Sequence, residues 1–97
     1  MLNSRQRSYL KGLANTVPAI FQVGKNGIDQ NVVRQFEEAL EARELVKASV
    51  LKSSVYSARE AAEEIAQAID AEVVSVLGSR FVLYKESRNN RVLDLPH

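Results

Sequence analysis

Apolar residues recur along this chain at two different periods, and each change of period marks a boundary between elements. Tyr9, Leu10, Leu13 and Ala14 share one face of a helix that Asn3 or Ser4 is placed to cap. Gly12 interrupts that helix at a cost of about 1 kcal/mol relative to Ala, so it is expected to mark a close approach by another backbone. After the connector Asn15 to Pro18, the run Ala19 to Val23 is nearly continuous in apolar residues, as expected for a strand covered on both faces. Asp29 is the expected N-cap of a second helix, with Val32, Val33, Phe36, Ala39 and Leu40 inside and Glu37, Glu38, Glu41 and Glu44 on a solvated outer face. Leu45 to Leu51 alternates, with Val46, Ala48 and Val50 on one face and Lys47 and Ser49 on the other. Ser57 and Glu60 form a capping box ahead of Ala61, Ala62, Ile65, Ala66 and Ile69, a third helix that should end near Asp70. Val73 to Leu77 and Phe81 to Tyr84 read as a hairpin about Gly78-Ser79-Arg80; Ser87 to Asn90 breaks the pattern, and Val92 to Pro96 is an extended tail.

The order is helix, strand, helix, strand, helix, strand, strand. It predicts an α/β fold, a two-layer sandwich with a four-stranded mixed sheet, whose strand-helix-strand crossovers should be right-handed. Ninety-seven residues suffice for one domain, residues 1–97. No segment approaches the ~18 uninterrupted apolar residues of a membrane helix, and the N-terminal cations have no apolar stretch behind them, so a soluble protein without a secretory signal is expected. The absence of cysteine excludes disulfides, thiolate catalysis and Cys-based zinc sites, and it fits a cytoplasmic location.

Net charge is only +1, but the charge is segregated. Residues 1–28 carry +4 with no acid, residues 29–72 carry −5, and residues 73–97 carry +2. If the two basic ends meet in space, one side of the molecule suits an anionic polymer.

That pattern directs attention to Gly24-Lys25-Asn26-Gly27, which sits between the first strand and the second helix. Glycines three apart allow positive φ at both ends of a tight turn and remove the Cβ atoms that would keep a ligand off the backbone. The helix that follows aims its first-turn N–H groups and positive dipole end at the same loop, and Lys25 adds a cation, a combination suited to phosphate. A Gly-x-x-Gly alone is a weak signal, so its position must carry the argument. Catalysis is not expected. The single histidine, His97, ends the tail, and the turn lacks the Gly-Lys-Ser or Gly-Lys-Thr ending of a phosphate-binding NTPase. No cofactor or metal ligand pattern is present.

Several ordered motifs resemble the CRM domain in its stand-alone bacterial, YhbY-like form. They are Leu10-Lys11-Gly12-Leu13-Ala14, Val23-Gly24-Lys25-Asn26-Gly27-Ile28, Glu44-Leu45-Val46-Lys47, Val76-Leu77-Gly78 with Val82-Leu83-Tyr84-Lys85, and Leu93-Asp94-Leu95-Pro96. The resemblance implies a fold similar to the C-terminal domain of the third bacterial translation initiation factor. It also implies RNA binding and association with large-subunit ribosomal precursors during assembly. The turn resembles that of KH domains, where such a loop clamps a nucleotide backbone, although here it follows a strand. On that reading, N–H groups of Gly24 to Ile28 receive phosphate oxygens, with Lys25 as an ion contact and Asn26 as a donor. Arg5, Arg7 and Lys11 extend the surface along the first helix, and Arg80, Lys85 and Arg88 continue it across the hairpin, with Tyr84 either a stacking platform or a residue half-buried in the sheet. The expected protein is a monomer whose partner is RNA, with no membrane or small-molecule substrate. The alternative is a protein-binding adaptor working through its acidic helices.

Overall fold

The computed structural model describes residues 2–89, 91 and 93–96. Met1, Asn90, Val92 and His97 lie outside the described residues, including the histidine and part of the tail considered above. The elements are α1 (Ser4–Ala14), β1 (Ala19–Val23), α2 (Gln30–Arg43), β2 (Leu45–Val50), α3 (Ala58–Ile69), β3 (Glu72–Leu77) and β4 (Arg80–Tyr84). The sheet runs β1-β2-β4-β3, with β1 parallel to β2 and the other two pairings antiparallel.

The helices begin where local chemistry dictates. Asn3 caps α1 in a reciprocal box with Gln6, Asp29 accepts the Val32 N–H at 2.9 Å, and Ser57 and Glu60 form the expected box on α3. Their ends are less conventional, because α2 and α3 stop on left-handed residues, Glu44 (φ 64°) and Asp70 (φ 60°), where glycine is commoner. Both caps return their N–H to the helix, Glu44 to Leu40 and Asp70 to Ala66.

Strand alternation sends side chains to two cores. Val46, Ala48, Phe81 and Leu83 join Phe36, Leu40 and the small-residue face of α3, Ala58, Ala61, Ala62, Ile65, Ala66 and Ile69. Phe36 lies at its centre, 4.7 Å from Phe21 and 6.0 Å from Phe81 between ring centroids. The intervening residues Leu45, Val82 and Tyr84 face the other way, against Leu10 and Ala14 of α1 and Leu93 and Leu95 of the tail. The mixed four-stranded sheet and the element order are those expected; α1 and the tail add a smaller layer on the face opposite α2 and α3.

Three local expectations change. β1 is an outer strand, not one covered on both faces: Ala19, Ile20 and Gln22 are exposed and only Val23 is buried. Gly12 has no heavy atom within 4 Å of the place a Cβ would take, so no other backbone approaches it. Two acids assigned to a solvated face hold the tail. Glu44 is fully buried, and its two carboxylate oxygens accept the Ser87 N–H (2.7 Å) and the Leu93 N–H (2.8 Å), while its own carbonyl accepts from Lys85. Glu41 accepts from the Ser87 hydroxyl at 2.8 Å and from the Arg88 and Asn89 N–H groups at 3.0 Å. Those bonds, the Arg88 N–H foremost, hold the Glu41 carboxyl below the usual carboxylate range. The reason for the error is topological: β4 returns the chain past the end of α2, and the helical period cannot show that.

Candidate nucleic-acid interface

β1 and β2 run parallel and therefore finish at the same end of the sheet. There the Leu51 N–H donates to the Val23 carbonyl at 2.9 Å and the Val50 N–H to the Ser79 carbonyl at 2.7 Å. Those two bonds draw three loops together: the glycine turn after β1, the loop after β2 and the β3–β4 turn.

The glycine turn is closed by the Gly27 N–H donating to the Gly24 carbonyl at 3.0 Å, which leaves Lys25 and Asn26 exposed at its tip. Among the described residues, no acceptor is bonded to the Lys25 or Asn26 N–H. Only one of the two glycines needs its special backbone. Gly27 has φ +72°, and a Cβ there would sit 3.2 Å from the Tyr56 ring. Gly24 is outside the left-handed region, and its Cβ would make an ordinary 3.5 Å contact with Leu51. The fold therefore demands Gly27 and tolerates a side chain at Gly24. The dipole of α2 contributes less than its position suggests, since the Asp29 carboxylate already occupies the helix end and takes the Val32 N–H. Ile28 is half-buried against the core, so it can lend its N–H but little side chain.

A second turn of the same kind lies alongside. Ser54 donates its N–H to the Leu51 carbonyl at 3.0 Å, presenting exposed Lys52 and Ser53 as the first turn presents Lys25 and Asn26. The charge pattern along the sequence hides Lys52, which falls in the acidic middle of the chain. Lys11 and Arg80 border a cleft at this end on the α1 face, and both are exposed. The basic ends of the chain thus meet at one end of the sheet through Lys11, Lys25 and Arg80, joined by Lys52.

Other expected members are elsewhere. Arg7 reaches over the outer strand β3: its guanidinium donates to the Val73 carbonyl and, at 3.5 Å, to that of Val74, and it lies 4.0 Å from Glu72. Its charge is committed to the fold. Arg5 is exposed in the first turn of α1, near where Leu2 donates to Glu72 at the opposite end of the sheet. Lys85 and Arg88 are also at that opposite end, beside a cleft bordered by Glu37, Glu38, Glu41 and Glu86. Five residues of extended chain, about 17 Å, separate them from Arg80, so the hairpin does not continue the basic surface. Tyr84 is 7% exposed and cannot offer a face to a base. Burial first, then the carboxylates of Glu44 and Glu86, raises its hydroxyl pKa. The ring that packs on the glycine turn is instead Tyr56, half-buried, whose hydroxyl pKa is raised chiefly by the Glu64 carboxylate. Leu51, Val55 and Leu77 add exposed apolar groups at this end, Val55 and Leu77 at 79% and 83%.

Among the described residues no group of metal-ligating side chains occurs and no helix is long and apolar enough to cross a membrane. The family model described as the CRS1 / YhbY (CRM) domain matches residues 2–85. The chain belongs to that family. Within it, the CRM chain is 41% identical over 96 residues to the Bacillus subtilis protein named Probable RNA-binding protein YqeI, covering 99% of this chain and all of the relative. It is 29% identical over 91 residues to a Haemophilus influenzae protein named RNA-binding protein, covering 94% of this chain and 92% of that one. Its fold is similar to the solution structure of the Staphylococcus aureus protein SAV1595, for which RNA binding has been proposed. The TM-score is 0.72 at 38% identity, over 99% of this chain and 100% of that one. These CRM relatives are named as RNA-binding proteins and not as enzymes.

Proposed function

We propose that this CRM protein binds RNA through the end of the sheet where the glycine turn lies, and that its target in the cytoplasm is ribosomal RNA of large-subunit precursors. The observation that carries the first part is the meeting of Lys11, Lys25, Lys52 and Arg80 around turns whose tip N–H groups have no acceptor in the described protein. Phosphate oxygens accept from such donors, and the cations add a salt-dependent attraction that is indifferent to sequence. The names of the relatives support RNA as the polymer. The ribosomal target rests on the resemblance to the stand-alone bacterial members. Nothing favours the acidic-helix adaptor, and Glu41 and Glu44 are already engaged with the chain's own tail.

Replacing Lys25 and Asn26 together with Asp should weaken binding to structured RNA at least tenfold at about 0.1 M salt while moving the melting temperature little. Equal losses of folding and binding would make the turn structural only. Crosslinking in cells followed by sequencing of the attached RNA should recover large-subunit ribosomal RNA; its absence would end the ribosomal part while leaving RNA binding intact.

A further inference from the structure

Gly12 is unexplained by the fold. It lies inside an 11-residue helix, where glycine weakens the helix relative to alanine, its backbone is not left-handed, and a Cβ would meet nothing within 4 Å. What it does is line a cleft of about 470 Å³ between α1 and the sheet, at the same end as the glycine turn. That volume falls within the roughly 300–1,000 Å³ of small-molecule sites.

The lining has the chemistry of one ligand class. Lys11 and Arg80 stand exposed on the cleft with no ion-pair partner among the described residues. The Lys47 ammonium donates to the Ala14 and Val17 carbonyls at 3.3 and 3.5 Å, so it closes the end of α1 and is engaged by the fold. Asn15 and Ser75 bring an amide and a hydroxyl with no side-chain bond to another described residue, and Leu77 supplies an exposed apolar lip. Two cations, two groups able both to donate and to accept, and a flat apolar rim fit a phosphate with a nitrogenous base attached.

Resting on the RNA reading above, we propose that this cleft receives one unpaired nucleotide of the bound RNA. Its phosphate lies on Lys11 and Arg80, its base lies along Leu77 with its edge on Asn15 and Ser75, and the missing side chain at Gly12 leaves the room. The strand that crosses the glycine turn at the end of β1 reaches Arg80 at the start of β4 after two inter-strand spacings, about 10 Å, so one short run of single strand can occupy both places.

Gly12→Ala makes the test decisive because the two readouts should part. The melting temperature should rise, by up to ~4–8 °C, while affinity for a fluorescent single-stranded RNA dodecamer should fall fivefold or more and affinity for the same sequence as a duplex should hold. Asn15→Ala should change the ranking of the four homopolymers, since base-edge bonds discriminate, whereas phosphate contacts do not. If Gly12→Ala binds the single strand like the wild type, or Asn15→Ala leaves the ranking intact, the nucleotide site is refuted. Should that happen while the Lys25 and Asn26 double replacement still abolishes binding, only the cleft assignment falls. If the wild-type protein binds neither form of the RNA, both readings fall together.

Discussion

Replacing Glu44 with glycine sets two opposing effects against each other. The residue is held at φ 64°, a conformation that costs a side-chain-bearing residue about 1–2 kcal/mol and glycine almost nothing. Against that relief stand the bonds from the Ser87 and Leu93 N–H groups at 2.7 and 2.8 Å, each worth about 1.5–3 kcal/mol when the acceptor is charged. Losing both while regaining the backbone term leaves a net destabilisation of about 1–5 kcal/mol, to be set against the roughly 5–15 kcal/mol expected for a domain. Glu44→Ala keeps the backbone cost and should be worse than Glu44→Gly by about 1–2 kcal/mol. Urea unfolding followed by circular dichroism measures the three stabilities, and amide exchange at Ser87 and Leu93 reports whether the tail has come away. A Glu44→Gly protein as stable as the wild type, with both amides still protected, would show that the buried carboxylate does not hold the tail.

The two glycines of the turn should separate cleanly. Gly27→Ala is expected to cost about 1–2 kcal/mol through its backbone, with the Tyr56 ring giving way slightly to a tight 3.2 Å contact. Gly24→Ala should be neutral or slightly stabilising yet weaken RNA binding severalfold, because the added methyl obstructs only a ligand; unchanged affinity in Gly24→Ala would remove backbone approach from the proposed interface. The lowered Glu41 pKa means that its bonds to the tail stabilise the protein above the ordinary carboxylate value of 4.5 and are lost as pH falls through the lower folded value. Acid titration by NMR should therefore move the Arg88 and Asn89 amides below pH 4.5, and Glu41→Gln should abolish that step; amides that shift only with global unfolding would contradict it.

What could be read from the sequence was set by how far apart the interacting residues are. Caps at Asn3, Asp29 and Ser57 depend on bonds spanning three residues, and strand faces on a period of two, so both are written locally. The outer position of β1 depends on which strand pairs with which, and the run Ala19 to Val23 carries no record of that. The embrace of the tail by Glu41 and Glu44 spans 43–49 residues, and both acids fall on a period that makes them look solvated. The candidate site shows the same division. Its glycine turn is local and legible, whereas Lys52 is hidden in an acidic stretch and becomes a neighbour of Lys25 only through the parallel pairing of β1 and β2. Arg80 and Lys85 are close in sequence and belong to opposite ends of one strand.

The register breaks in the two outermost strands bear on how this protein behaves when crowded. β1 slips between Ala19 and Phe21, and β3 between Val73 and Ser75, where Arg7 already takes the nearby carbonyls. An incoming chain needs a regular ladder of donors and acceptors to add itself, and neither rim supplies one. Removing the Arg7 guanidinium would free the Val73 and Val74 carbonyls on this outer strand, so Arg7→Ala is expected to self-associate at lower concentration than the wild type, as light scattering would read.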